Sequence, residues 1–173
     1  MDITVRNEEE KDIQQVQEIV RAAFPGDAES RLVDALRANG KAVISLVAGK
    51  GDEVLGHILF SPVTTTPSSD ARGIGLAPVA VRPDAQSQGI GSRLNAEGLR
   101  LCKELGFDYC VVLGSPEYYQ RLGFEKASPF GIRNEYGVDA EFMMIRFSER
   151  NVAGLVNYAS EFAMFSVWVK YIK

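Results

Sequence analysis

The chain has 173 residues, 46% hydrophobic and 24% charged. That is enough apolar material for the core of one ordinary domain and too much for a disordered tail. A net charge of −4, with no stripe of Lys or Arg, excludes the clustered cations on which nucleic-acid binding rests. Two cysteines cannot build a disulfide scaffold, and a single histidine, His57, leaves no ligand set for structural zinc, so no metal is expected.

The first strand is read at Met1 to Arg6, where Ile3 and Val5 alternate with polar residues. Ile13, Val16, Ile19, Val20, Ala23 and Phe24 then make one helical face, broken at Pro25-Gly26. A second helix, Glu29 to Ala38, presents Leu32, Val33 and Leu36 and stops at Asn39-Gly40. A hairpin follows, Ala42 to Ala48 and Val54 to Val63, turning at Gly49-Lys50-Gly51-Asp52; His57 within it reads as a structural histidine. Thr64 to Arg72, rich in Thr, Ser and Pro, reads as a long loop. Ile74 to Val81 is a strand, Gly89 to Leu105 a helix and Asp108 to Leu113 a buried strand, a right-handed unit with two parallel neighbours. A short helix, Pro116 to Leu122, and a late strand, Phe142 to Phe147, complete an α+β order of βααβββαβαβ. The expected architecture is a mixed, mostly antiparallel sheet flanked by helices.

Cys102 falls on an apolar helix face and Cys110 opens an apolar strand, so both read as small buried hydrophobes. Free thiols and an N-terminus without the apolar region of a signal peptide point to the cytoplasm. Val152 to Val169 is apolar, but Glu161 near its middle would cost about 2.5 kcal/mol or more at a bilayer centre. Val152, Leu155, Val156, Ala159, Phe162 and Ala163 recur at helical spacing, and Phe165, Val167 and Trp168 extend the apolar surface. The division expected is a domain over 1–148 and an apolar extension over 149–173, packed on that domain or on the twin subunit of a homodimer rather than in lipid.

The chemistry is concentrated in Gln86-Ser87-Gln88-Gly89-Ile90-Gly91-Ser92, between a strand and a long helix. Such a junction leaves the first helical N–H groups unpaired, and Gly89 and Gly91 lack the Cβ atoms that would keep a phosphate from the backbone. A P-loop would need Gly-x4-Gly-Lys-Ser/Thr, which is absent, and a dinucleotide fingerprint would need a third glycine where Leu94 stands. Pro78, in the strand before the loop, implies a bulge or an unpaired edge. A bulge would splay that strand from its parallel neighbour and leave amide groups free for a linear, amide-bearing ligand. Phosphate at the helix tip and amides along the strand together describe a pantetheine pyrophosphate.

Two local patterns carry a resemblance. Gln86-x-x-Gly89-x-Gly91 is similar to the pyrophosphate motif of the GNAT superfamily of N-acetyltransferases, and Tyr119-Gln-Arg-Leu-Gly123-Phe124 resembles its Tyr-x-x-x-Gly-Phe motif. In element order the resemblance covers Ile3 to Phe147 and implies a GNAT-like fold with splayed parallel strands 4 and 5. It also implies acetyl-CoA as cosubstrate. Val79, Ala80 and Val81 would contact pantetheine and the acetyl carbonyl, Gln86 to Ser92 the pyrophosphate, and Tyr119 the sulfur, as general acid. Where many members carry an Asn after the fifth strand, this chain has Leu113-Gly114-Ser115-Pro116-Glu117.

The implied reaction is acetyl transfer to a primary amine of a small molecule or peptide, by direct attack on the thioester. The amine must lose its proton to a base or a chain of waters; Glu29 and Glu117 are the candidate side chains nearest the implied acceptor cleft, and either carboxylate is equally at home at a solvated helix start. Phe24, Pro25 and Gly26 would border the acceptor. A non-catalytic acyl-CoA sensor or interaction module would keep the loop and could dispense with Tyr119, so the tyrosine favours the enzyme.

Overall fold

The computed structural model describes residues 2–165; Val167 and Trp168 lie outside them. The described elements are β1 (Thr4–Asn7), α1 (Ile13–Ala23), α2 (Ala28–Ala38), β2 (Ile44–Lys50), β3 (Glu53–Thr66), β4 (Gly73–Val81), α3 (Ile90–Glu104), β5 (Tyr109–Leu113), α4 (Pro116–Gln120), β6 (Glu125–Lys126), β7 (Ile132–Asn134), β8 (Phe142–Arg146) and β9 (Gly154–Asn157). Strand order is β1-β2-β3-β4-β5-β8-β6, with β9 joined to β3 and β7. Pairing is antiparallel at β1–β2, β2–β3, β3–β9, β5–β8 and β6–β8, and parallel at β4–β5 and β7–β9. The α+β class, the mostly antiparallel sheet and the parallel fourth and fifth strands are as expected.

The chain forms two compact units. The first takes residues 2–60 and 77–101. Its core gathers Val16, Ile19 and Val20 of α1, Leu32, Val33 and Leu36 of α2, Leu46 of β2, Ile58 and Phe60 of β3, and Ile90 and Leu94 of α3. These are the positions that helical and alternating spacing assign to the inside. α1 closes where the Phe24 N–H bonds to the Val20 carbonyl, and Phe24 itself is already extended.

The second unit takes residues 61–76 and 102–165. Here β4 and β5 run parallel over Gly73–Tyr109, Ile74–Cys110 and Gly75–Val111, so Pro78 lies beyond the last pair of the ladder. A residue without an N–H is tolerated on that side because the β5 ladder asks no bond of it. β5 pairs along its whole length with β8, from Tyr109–Arg146 to Leu113–Phe142.

The tail departs from its helical spacing. Gly154–Asn157 is a strand held between Thr64–Thr66 of β3 and Ile132–Asn134 of β7, followed by a 3-10 turn at Ser160–Phe165. Val152, Val156, Tyr158 and Phe162 are buried. β3 therefore runs on through the threonines first read as loop; three β-branched side chains suit a strand, and β9 supplies the partner that fixes them. Among the described residues no helix is long and apolar enough to cross a membrane, and no three His, Cys, Asp or Glu side chains cluster as metal ligands.

Candidate functional site

In the first unit the Gly-rich segment leaves β4 through a 3-10 turn at Pro83–Ala85, closed by the Ala85 N–H on the Arg82 carbonyl at 2.8 Å. Arg82 N–H in turn bonds to the Leu55 carbonyl of β3 at 2.8 Å, which anchors the strand's exit. Ala85 and Ile90 are buried at either end, and Gln86, Ser87, Gln88 and Gly89 between them are exposed. Gln86 folds back, its side-chain amide donating to the Val81 carbonyl at 3.2 Å.

Two residues of this loop take left-handed backbone angles, Ser87 at φ 61° and Gly89 at φ 80°. For glycine that conformation carries no steric cost; for serine it is uncommon and marks a backbone fixed by its surroundings. A Cβ on Gly89 would meet no heavy atom within 4 Å, so the glycine is present for its φ and for the open face it leaves. α3 starts at Ile90, and the Arg93 N–H to Gly89 carbonyl bond at 3.0 Å closes its first turn. The N–H groups ahead of that bond have no carbonyl four residues back. Buried Ile90 and Leu94 hold the helix tip in place, and the buried Asn95 side chain donates to the Gly91 carbonyl at 2.9 Å. Val79 and Val81 are half-buried and Ala80 is buried, in strict alternation.

Tyr119 belongs to the second unit. Its motif is a helix cap: the Phe124 N–H bonds to the Tyr119 carbonyl at 3.1 Å and the Gly123 N–H to the Gln120 carbonyl at 3.1 Å. With Gly123 at φ 97°, this is a Schellman pair, and the Phe124 ring packs edge-on against Tyr119, 5.4 Å between centroids. The Tyr-x-x-x-Gly-Phe spacing is thus what ends α4 and seats the tyrosine. Ser115 caps the other end, accepting from the Tyr118 N–H at 3.4 Å. Tyr119 is buried and Tyr118 half-buried, as neighbours on one helical turn must differ. Gly114, in the stretch that lacks the Asn, has its own role: a Cβ there would run into the Tyr119 ring. Burial pushes the Tyr119 hydroxyl well above its ordinary pKa, with Tyr118 adding to the shift, so it stays protonated at neutral pH.

The carboxylate candidates part company. Glu117 is exposed, whereas Glu29, in the first turn of α2, is buried, and burial raises its carboxyl pKa. Phe24 is half-buried; Pro25 and Gly26 are exposed.

A buried polar cluster in the first unit escaped the sequence. Glu8 accepts from Ser45 Oγ at 2.8 Å and from Arg37 Nε at 2.8 Å, and its Oε2 lies 2.9 Å from His57 Nε2. Desolvation opposes ionisation, but the bonds from His57, Ser45 and Arg37 outweigh it and bring the Glu8 carboxyl down to about 2. His57 is fully buried, with its Nε2 beside Glu8 and Ser45. The four residues of the cluster lie on four elements or their flanks, and no local pattern announces them. Cys102 and Cys110 are both free and buried, and burial raises the Cys110 thiol.

A mixed sheet in which β4 and β5 run parallel, a glycine-bearing turn into a long helix and then a capped tyrosine helix are the arrangement of the GNAT class of acyltransferases. The sequence model described as the acetyltransferase (GNAT) family matches residues 13–124, and the chain belongs to that family. It is 36% identical over 152 residues to the uncharacterized N-acetyltransferase YhbS of Escherichia coli K12, covering 85% of this chain and 90% of the relative. The crystal structure of Escherichia coli YhbS in complex with CoA superposes with a TM-score of 0.88 at 34% identity, covering 93% of this chain and 92% of that one. A GNAT family acetyltransferase from Brucella melitensis in complex with acetyl-CoA gives a TM-score of 0.79 at 34% identity, covering 93% and 98%.

Proposed function

We propose that this GNAT enzyme transfers the acetyl group of acetyl-CoA to a primary amine by direct attack on the thioester. The observation that carries the reading is the loop Gln86 to Ser92, with left-handed Ser87 and Gly89 exposed ahead of α3. A pyrophosphate on the N–H groups of Gly89, Ile90, Gly91 and Ser92 would meet unpaired donors and the positive end of a 15-residue helix. The open space over Gly89 fits such a group. The backbone of Val79, Ala80 and Val81 would pair with pantetheine as an added strand, with Gln86, Ser87 and Gln88 lining the approach.

In the reaction the amine nitrogen forms a bond to the thioester carbon, the carbon–sulfur bond breaks, and the proton lost by nitrogen leaves to a base. An N–H of the strand aimed at the carbonyl oxygen stabilises its growing charge. The CoA thiol titrates near 8.5, while burial holds the Tyr119 proton far more tightly, so full transfer from Tyr119 to sulfur is uphill. Its role is then a hydrogen bond that strengthens as the thiolate forms, with the final proton coming from water. A hydroxyl that burial keeps protonated, and so able to donate to a leaving thiolate, favours this enzyme over a sensor that merely holds CoA.

Gly91→Val tests the loop. Calorimetry with acetyl-CoA should show affinity weakened more than tenfold, with an unchanged melting temperature. Unaltered affinity in a folded variant would remove the loop from cofactor binding.

A further inference from the structure

Glu29 occupies a position that the amphipathic pattern of α2 reserves for a hydrophobe. It stands three, four and seven residues before Leu32, Val33 and Leu36, all buried, and so leaves the helix on their face. It is only 6% exposed, its Oε2 has no hydrogen-bond partner, and beside it Ser30, 2% exposed, carries an Oγ equally without one. The other buried carboxylates of this unit are treated differently. Asp12 holds Arg6 through two bonds of 2.6 and 2.9 Å, and Glu8 holds Arg37, Ser45 and His57. Among the described residues no cation is supplied to Glu29; the charged neighbour that acts on it is Asp27, which is acidic too. A carboxylate buried without a cation is costly, and a fold that pairs its other two buried carboxylates leaves this one for a partner that arrives from outside.

We propose that Glu29 and Ser30 receive the acceptor's ammonium group, Glu29 taking its proton, and that the acceptor is therefore a cationic primary amine. The proposal rests on the acetyl-transfer reading and names the substrate class and base of that reaction. The step is R–NH3+ plus carboxylate giving R–NH2 plus carboxylic acid. The freed lone pair forms the bond to the thioester carbon, the sulfur leaves with its electron pair, and Glu29 passes its proton to water. Burial raises the carboxyl, with Asp27 contributing, which makes Glu29 a stronger base than an exposed glutamate. An uncharged acceptor would leave both the charge and the hydroxyl unmatched.

The test compares wild type with Glu29→Gln, which keeps the shape and removes the charge. The probes are simple alkylamines, a polyamine, amino-acid amides and short peptides with free N-termini, assayed by thiol release from acetyl-CoA across pH. For an amine accepted by wild type, kcat/KM of the variant should fall about 10²-fold or more at pH 7. It should climb back toward wild type as pH rises through the amine's own pKa, since the amine then arrives neutral. Affinity for acetyl-CoA should be unchanged, and the variant should melt at or above the wild-type temperature because an unpaired buried charge is gone. A variant within threefold of wild type at pH 7, one whose loss is the same at every pH, or one that fails to fold overturns the assignment while leaving acetyl transfer standing. Wild type that binds acetyl-CoA and acetylates none of these amines overturns the transfer reading and this assignment with it.

Discussion

Tyr119 is positioned by a neighbour's smallness and by a cap. Gly114 lets the ring lie on the chain after β5, and Phe124 closes over its edge. Removing the hydroxyl leaves that packing intact, so Tyr119→Phe should fold and bind CoA as wild type does. Because the proposed bond to sulfur forms only as charge develops, kcat should fall by roughly 10²- to 10³-fold. Tyr118→Phe is the control, since Tyr118 is half-buried and turned away by the helix. Steady-state rates at saturating acetyl-CoA decide it, and equal rates for Tyr119→Phe and wild type would take the residue out of the mechanism. Gly89 was readable from the sequence because a positive φ selects glycine so strongly. The left-handed Ser87 was not, because serine adopts that conformation only where tertiary surroundings impose it.

At the scale of elements, six strands and four helices were legible in order, and three short strands were missed. β6 and β7 have two and three residues, too few for a period of two to show, and β9, with four, is masked by the helical spacing around it. In the tail a strand followed by a 3-10 turn puts apolar residues at spacings that imitate a helix. Pairing with β3 and β7 decides against it, a long-range interaction that no local window contains. The tail's contribution is then that of core. Phe162, 2% exposed and packed on Tyr158 at 5.2 Å between ring centroids, should cost about 3–5 kcal/mol when replaced by Ala. Urea unfolding measures this directly; a cost below about 1 kcal/mol would mean that the tail merely rests on the surface.

The whole molecule's response to acid follows from two buried glutamates shifted in opposite directions. Glu8, ordinarily near 4.5, titrates at about 2 in the fold, so the unfolded chain takes up its proton first. Its stabilisation is complete above the unfolded value and is lost as pH falls from about 4.5 to about 2, in total about 3 kcal/mol. Asp12, held by Arg6, acts with the same sign. Glu29 is raised by burial, so the folded chain takes up its proton first; it weakens the fold at neutral pH and is relieved on acidification. Glu8→Gln should therefore melt lower at pH 7 and show a shallower acid limb, whereas Glu29→Gln should melt no lower than wild type at pH 7. Melting curves of the three proteins between pH 7 and 2.5 test the pair together. An unchanged acid limb in Glu8→Gln would show that the cluster around His57 does not set acid stability. Opposite displacements at pH 7 would mean that one buried carboxylate is held for the fold, and that the other is held against it for chemistry.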